Sequence, residues 1–287
     1  MTDAIKLAQD FLINSHLSGT GWGYAAINPQ AYPEPTCYSL LTLDGTSFSP
    51  NETLTWLEGL VQENGQLFLP GDDMPNWATS LLVITLTRLD QLPEVRTSSI
   101  NWLLEWKSRT ADDAGVIELD PTLVGWPWIS DTFSWVQPTG FGALALKLSG
   151  LKTHERVKEA ESLLLDRMCL QGGWNYGNPA VLGSELPPAV LDTAIALFGL
   201  QDLPEASDAI EKGLAVLEEL TPERPSALAL AVSILCFHVF DRPTGKFVDL
   251  LLKRQEPDGS WRQMIWWTSL AALALQAVDG GKNAFKV

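Results

Sequence analysis

The sequence predicts an all-α fold, a single (α/α)6 barrel of six outer/inner helix pairs spanning residues 1–287 as one domain. Two observations carry that expectation. A short unit recurs along the chain: a turn with glycine and an aromatic residue, then a helix opening on Thr or Ser. The helices also alternate between two kinds, one amphipathic and one apolar all round.

The unit first appears as Gly21-Trp22-Gly23-Tyr24 followed by the helix at Thr36. It returns as Gly65-Gln66-Leu67-Phe68 before Thr79, Gly125-Trp126-Pro127-Trp128 before Thr139, and Gly172-Gly173-Trp174-Asn175-Tyr176 before Thr193. A fifth copy keeps only the helix at Ser226, and the sixth pairs Gly259-Ser260-Trp261 with Thr268. Anchors at 36, 79, 139, 193, 226 and 268 are unevenly spaced, so the unit is fixed while the loops vary.

Amphipathic helices are expected over Thr53–Glu63, Ser99–Lys107, Glu155–Met168, Ala206–Leu220 and Lys246–Arg254, where charged and apolar residues alternate at three- and four-residue spacing. The anchor helices are rich in Leu, Ala, Gly, Ser and Thr, the composition of helices buried on every side with close neighbours. An open solenoid would leave their apolar face wet. Closure into a double ring buries it, with a central cavity opening where the inner helices begin.

A net charge of −16 argues against nucleic acid or an anionic membrane surface as partner. The three cysteines, at 37, 169 and 236, are too scattered for a disulfide framework. The opening residues carry no secretory pattern and no apolar stretch reaches the roughly 20 residues of a membrane span, so a cytoplasmic location is expected, with only transient membrane contact. Cys236 and His238 sit two apart on a helix and point to different sides, so no zinc site is expected.

Gln255-Glu256-Pro257-Asp258-Gly259-Ser260-Trp261 resembles the Gln-x-x-x-Gly-x-Trp repeat of squalene–hopene and oxidosqualene cyclases and of protein prenyltransferase β-subunits. Gln171-Gly172-Gly173-Trp174 is a shortened copy, and the turns at Trp22 and Trp126 are weaker echoes. The resemblance implies that Trp22, Trp174 and Trp261 pin outer helices, and that the cavity handles prenyl chains. Class I terpene chemistry is set aside, because no Asp-Asp-x-x-Asp motif occurs.

The class II cyclases of that family protonate an alkene with an aspartic acid, without metal or organic cofactor. An alkene is a very poor base, so the acid must be neutral at rest, dry and rigidly placed. The cation that follows needs aromatic faces. In the family the acid lies in Asp-x-Asp-Asp-Thr-Ala; here the matching stretch is Ala189-Val190-Leu191-Asp192-Thr193-Ala194, which keeps only the last Asp and has Leu191 at the donor position. Asp192 and Asp131, the latter set among Trp128, Phe133 and Trp135, are the candidate acids. Asp73 is a third, since repulsion from Asp72 would raise one carboxyl's pKa. Asp192 reads equally as a helix N-cap, and Asp131 and Asp73 as turn residues.

Trp77, Trp126, Trp128, Phe133, Trp135, Tyr176, Trp266 and Trp267 lie at or just before the inner helices and are expected to line the cavity. Glu34-Pro35-Thr36 aligns with Gln137-Pro138-Thr139, placing a carboxylate and an amide on one cavity to end a cation or orient a head group. The expected substrate is a linear polyprenyl chain or a prenylated aromatic. The rival is a non-catalytic ring that binds an isoprenoid or a protein. A carbohydrate enzyme would need two carboxylates across a polar cleft, which apolar inner helices do not offer.

Overall fold

A computed structural model of the chain describes every residue except Asp73, Pro75, 113–118 and Arg224. Twelve helices account for the described fold, with a two-stranded hairpin, β1 (Ala180–Val181) and β2 (Ser184–Glu185), beside the fourth turn. The inner helices are α2 (Pro33–Leu43), α4 (Ala78–Leu89), α6 (Val136–Leu148), α8 (Val190–Gly199), α10 (Ala227–Val239) and α12 (Ile265–Val278). Each packs on the next, and α12 closes on α2, so the ring is complete. The outer helices are α1 (Thr2–Asn14), α3 (Asn51–Glu58), α5 (Pro93–Glu105), α7 (Glu155–Asp166), α9 (Ser207–Glu223) and α11 (Gly245–Leu252). The predicted α/α barrel is therefore the observed fold.

The two helix kinds differ for the expected reason. Every residue of α4 from Ala78 to Leu86 is buried, whereas α7 buries one stripe, Val157, Ala160, Leu163 and Leu164 together with Arg156 and Glu161, and leaves Glu155 and Lys158 exposed. Small residues set the inner spacing. A Cβ on Gly140 of α6 would lie 2.6 Å from the Ile195 carbonyl oxygen of α8, and one on Gly142 2.6 Å from the Trp126 ring.

Helix boundaries depart from the sequence reading in one systematic way. Inner helices begin one to three residues ahead of their Thr anchors; in α2 and α6 this first turn takes in Pro33, Pro35 and Pro138, which are tolerated there because its backbone N–H groups need no intrahelical acceptor. The outer helix α1 carries no preceding turn and was not anticipated. It packs on α12 and α2 and covers the seam where the ring closes.

The repeated turns have a common stitching. The anchor Thr side chain accepts from the backbone N–H of the turn's key residue: Trp22 to Thr36 (3.0 Å), Leu67 to Thr79 (3.1 Å), Trp126 to Thr139 (3.1 Å), Trp174 to Thr193 (2.9 Å) and Trp261 to Thr268 (3.0 Å). Each turn tryptophan then donates its indole N–H to a carbonyl near the end of the outer helix before it, at Leu12 (2.7 Å), Leu103 (3.1 Å), Leu164 (2.6 Å) and Leu251 (2.9 Å). These carbonyls lie in the last turn of each helix, where the regular partner four residues on is missing. Gln255 works the same way, donating to the carbonyls of Ala4 (2.8 Å) and Gly259 (3.0 Å) and so joining the last turn to α1. Gly259 adopts φ +89° against Leu7 of α1, a place where no Cβ fits.

Candidate active site at the mouth of the ring

Because the five Thr anchors are held to their turns in one way, the repeat fixes which neighbours face the centre. The residues two ahead of the anchors are Glu34, Trp77, Gln137, Leu191 and Trp266, and all five line one central cavity. Four of the residues two beyond the anchors, Tyr38, Phe141, Ile195 and Leu270, line it too. The two sets are four apart, on one helix face. Trp128 completes the mouth, while Phe198, Val232 and Phe285 lie deeper. The cavity holds about 170 Å³.

Its walls are largely aromatic. Trp77 stacks on Phe141 with centroids 5.3 Å apart and meets Trp128 edge-on at 5.6 Å. Trp266 stands at a right angle to Tyr24, 6.3 Å away. Phe285 stacks on Phe198 at 5.1 Å.

Glu34 is the carboxyl on this wall. Its Oε2 accepts from the Tyr24 hydroxyl at 2.8 Å, and no cation among the described residues offsets its burial. Burial raises its pKa to about 7, the Tyr24 hydrogen bond pulling back only part of the way. The Tyr24 phenol is itself pushed well above its ordinary value by burial and by the Glu34 charge. Across the ring, Gln137 donates through Nε2 to Asp192 Oδ1 at 3.0 Å. Asp192 is buried, which raises its pKa, with the Gln137 contact opposing. It is not the N-cap of its helix, a position held by Ala189, but a residue of the first turn. Being one residue ahead of its anchor rather than two, it stands behind Gln137 and off the cavity wall.

Other sequence candidates lie elsewhere, each for a readable reason. Asp131 occupies a left-handed turn at φ +63°, its side chain 84% exposed and 4.0 Å from Arg109. Open to solvent, Asp131 lacks the dry, enclosed surroundings that a donor to an alkene needs. Asp73 lies outside the described residues, and its neighbour Asp72 is an exposed turn residue accepting from the Met74 N–H at 3.0 Å. Trp126 is a turn tryptophan like Trp22: fully buried, bonded to Leu103 and covered by the Arg156 guanidinium at 4.0 Å, it faces the outer helices. Phe133 and Trp135 line a separate surface hollow of about 200 Å³ beside Arg109 and Arg167. Tyr176 is exposed and leans on Trp135 at 5.8 Å. Trp267, one residue ahead of its anchor, lies off the cavity, and Trp266 takes the lining position. No cluster of His, Cys, Asp and Glu among the described residues could hold a metal, and no helix there is long and apolar enough to cross a membrane.

The ring and its aromatic mouth define the toroid shared by several enzyme classes. By sequence the chain matches no family model and no curated protein. By structure it is similar to the type II terpene cyclase MstE from Scytonema, at TM-score 0.68 and 14% identity over 97% of this chain and 98% of that one. It is also similar to Candida albicans protein geranylgeranyltransferase-I complexed with GGPP, at 0.64 and 14% over 98% and 92%. A novel alpha-amylase from Clostridium perfringens superposes at 0.66, with 12% identity over 96% and 97%. At such identities the likeness establishes the fold, and chemistry has to be argued from the site.

Proposed function

We propose that the chain is a class II terpene cyclase in which Glu34 is the proton donor, acting on an isoprenoid or prenylated aromatic. The observation that carries the reading is the station of Glu34. It sits two residues ahead of its anchor, as Leu191 does, and Leu191 is where the resemblance places the family's acid. The acid has moved to the opposite side of the ring and kept its relation to the cavity.

In the starting state the Glu34 carboxyl is neutral below pH 7 and can hand its O–H proton to the less substituted carbon of the substrate's last double bond. The alkene's electron pair forms the new C–H bond and leaves a tertiary cation on the neighbouring carbon. A second double bond of the folded chain attacks that cation and closes a ring. Faces of Trp77, Trp128, Phe141 and Trp266 hold the positive charge, at about 0.5–2 kcal/mol for each ring. A proton then leaves the cation for water and Glu34 is reprotonated from solvent, so the product keeps the substrate's formula. Gln137, the polar group facing Glu34, can orient a hydroxyl or aromatic head.

The volume bears on the substrate. About 170 Å³ lies just above a benzene-sized cavity of roughly 150 Å³ and below the roughly 300–1,000 Å³ of drug-sized sites. The short end of the isoprenoid series is therefore expected. That volume and the leucine at 191 also favour a second reading, a ring that binds an isoprenoid without turnover. Incubating the purified protein with prenols of increasing length and prenylated hydroxybenzoates, read by mass and retention time, separates the two. A product of unchanged mass and altered retention supports cyclisation. Raised melting temperature without product supports binding alone.

A further inference from the structure

The cavity's floor is made by a segment outside the helical repeat. Phe285 lines the central cavity, while the preceding residue, Ala284, lines a separate hollow of about 420 Å³ that opens to solvent between Asp44, Arg88, Asp279 and Lys282. Two inner helices pass both spaces on successive turns: Tyr38 then Leu41 on α2, and Leu270 then Leu273 on α12. One helical turn, about 5 Å, is therefore the step from one cavity to the next. Phe285 fills that step, stacked on Phe198 and 6.4 Å from the Tyr38 ring.

The segment is pinned by its backbone. Arg88 Nε donates to the Ala284 carbonyl at 2.7 Å. Gln201 donates through Nε2 to the Phe285 carbonyl at 2.7 Å and accepts from the Val287 N–H at 3.0 Å. Asn283 donates to the Leu235 carbonyl at 2.9 Å. None of these bonds uses the Phe285 side chain, so its size can change while the segment stays in place.

We infer that Phe285 sets the length of the isoprenoid that the ring accepts, as the floor of the central cavity on the side of that hollow. The inference rests on the isoprenoid reading above. A smaller side chain deepens the central cavity by the space of that ring and admits about one more five-carbon unit, since that unit spans roughly one helical turn. A larger one shortens the limit.

The test uses the whole chain and three prenols, geraniol, farnesol and geranylgeraniol, with melting temperature as the readout. F285A is expected to be stabilised by an alcohol one isoprene unit longer than the longest that stabilises the parent protein, and F285W by a limit one unit shorter. F285L, which keeps a buried apolar side chain, serves if F285A fails to fold, and circular dichroism checks each variant. One length limit shared by all the folded proteins overturns the role of Phe285 and leaves the isoprenoid reading standing. No stabilisation of any variant by any of the alcohols overturns both.

Discussion

Glu34 and Leu191 occupy the same station in two opposite repeats: each stands two residues ahead of its anchor, Thr36 or Thr193, and each lines the central cavity. One is a carboxyl whose burial raises its pKa to about 7, and the other is a leucine. The proposed chemistry turns on that exchange.

E34Q keeps the size of the side chain and an oxygen to accept from Tyr24, but has no proton to give. General acid catalysis contributes about 10²–10⁴-fold, so turnover is expected to fall at least a hundredfold while prenol binding changes little. Parallel measurement of turnover and melting shift checks this. For the parent protein, the rate should hold level below pH 7 and fall as pH rises through it, because the donor form is lost.

The same carboxyl links stability to pH. Its pKa rises from an ordinary 4.5 to about 7 on folding, so the folded state holds a proton that the unfolded chain releases. That contribution is complete below the ordinary carboxylate range and is lost as pH climbs through 7, leaving a half-buried charge that the Tyr24 hydroxyl meets but no cation among the described residues offsets. The difference amounts to about 3 kcal/mol. E34Q should therefore match the parent near pH 4 and exceed it in stability near pH 8, as read by urea unfolding at both values.

Asp131 and Asp192 part company with Glu34. D131N removes an exposed charge 4.0 Å from Arg109 and should leave turnover within about twofold. D192N still accepts from Gln137 and should cost no more than about tenfold, through the amide's orientation rather than through a lost proton. Loss of activity in D192N equal to that in E34Q would put the donor on α8 instead.

The turn tryptophans are structural ties. W126F leaves the Leu103 carbonyl unpaired in the interior and weakens the Arg156 contact, which should cost about 1–3 kcal/mol. Length selectivity for prenols should not move, because Trp126 does not line the cavity. Gly259→Ala is expected to cost about 3 kcal/mol or more, since the backbone is at φ +89° and the new Cβ would meet the Leu7 carbonyl oxygen at 2.2 Å.

Much of this was legible in the repeat. The anchors at Thr36, Thr79, Thr139, Thr193 and Thr268 gave the pairing of helices and the ring, because each marks one hydrogen-bonded stitch. The cavity wall was legible by the same register: counting two residues back from each anchor selects Trp266 over Trp267 and Leu191 over Asp192. Selecting aromatics by nearness to the mouth instead gathered Trp126, Phe133, Trp135 and Tyr176, which face outer helices or solvent. Sequence neighbours alone could not show that Asp131 sits in an exposed left-handed turn. Phe285 is not legible in this register, because it lies in no repeat and only the path of the segment after α12 carries it under the ring.

The most direct measurement is a reaction in D2O with a prenol that the protein binds, comparing the parent with E34Q by mass spectrometry. Protonation of an alkene by Glu34 predicts a cyclic product carrying one carbon-bound deuterium, formed by the parent and lost or nearly lost in E34Q. A product without deuterium, equal turnover in both proteins, or binding with no product from the parent would contradict the assignment of Glu34 as the initiating acid.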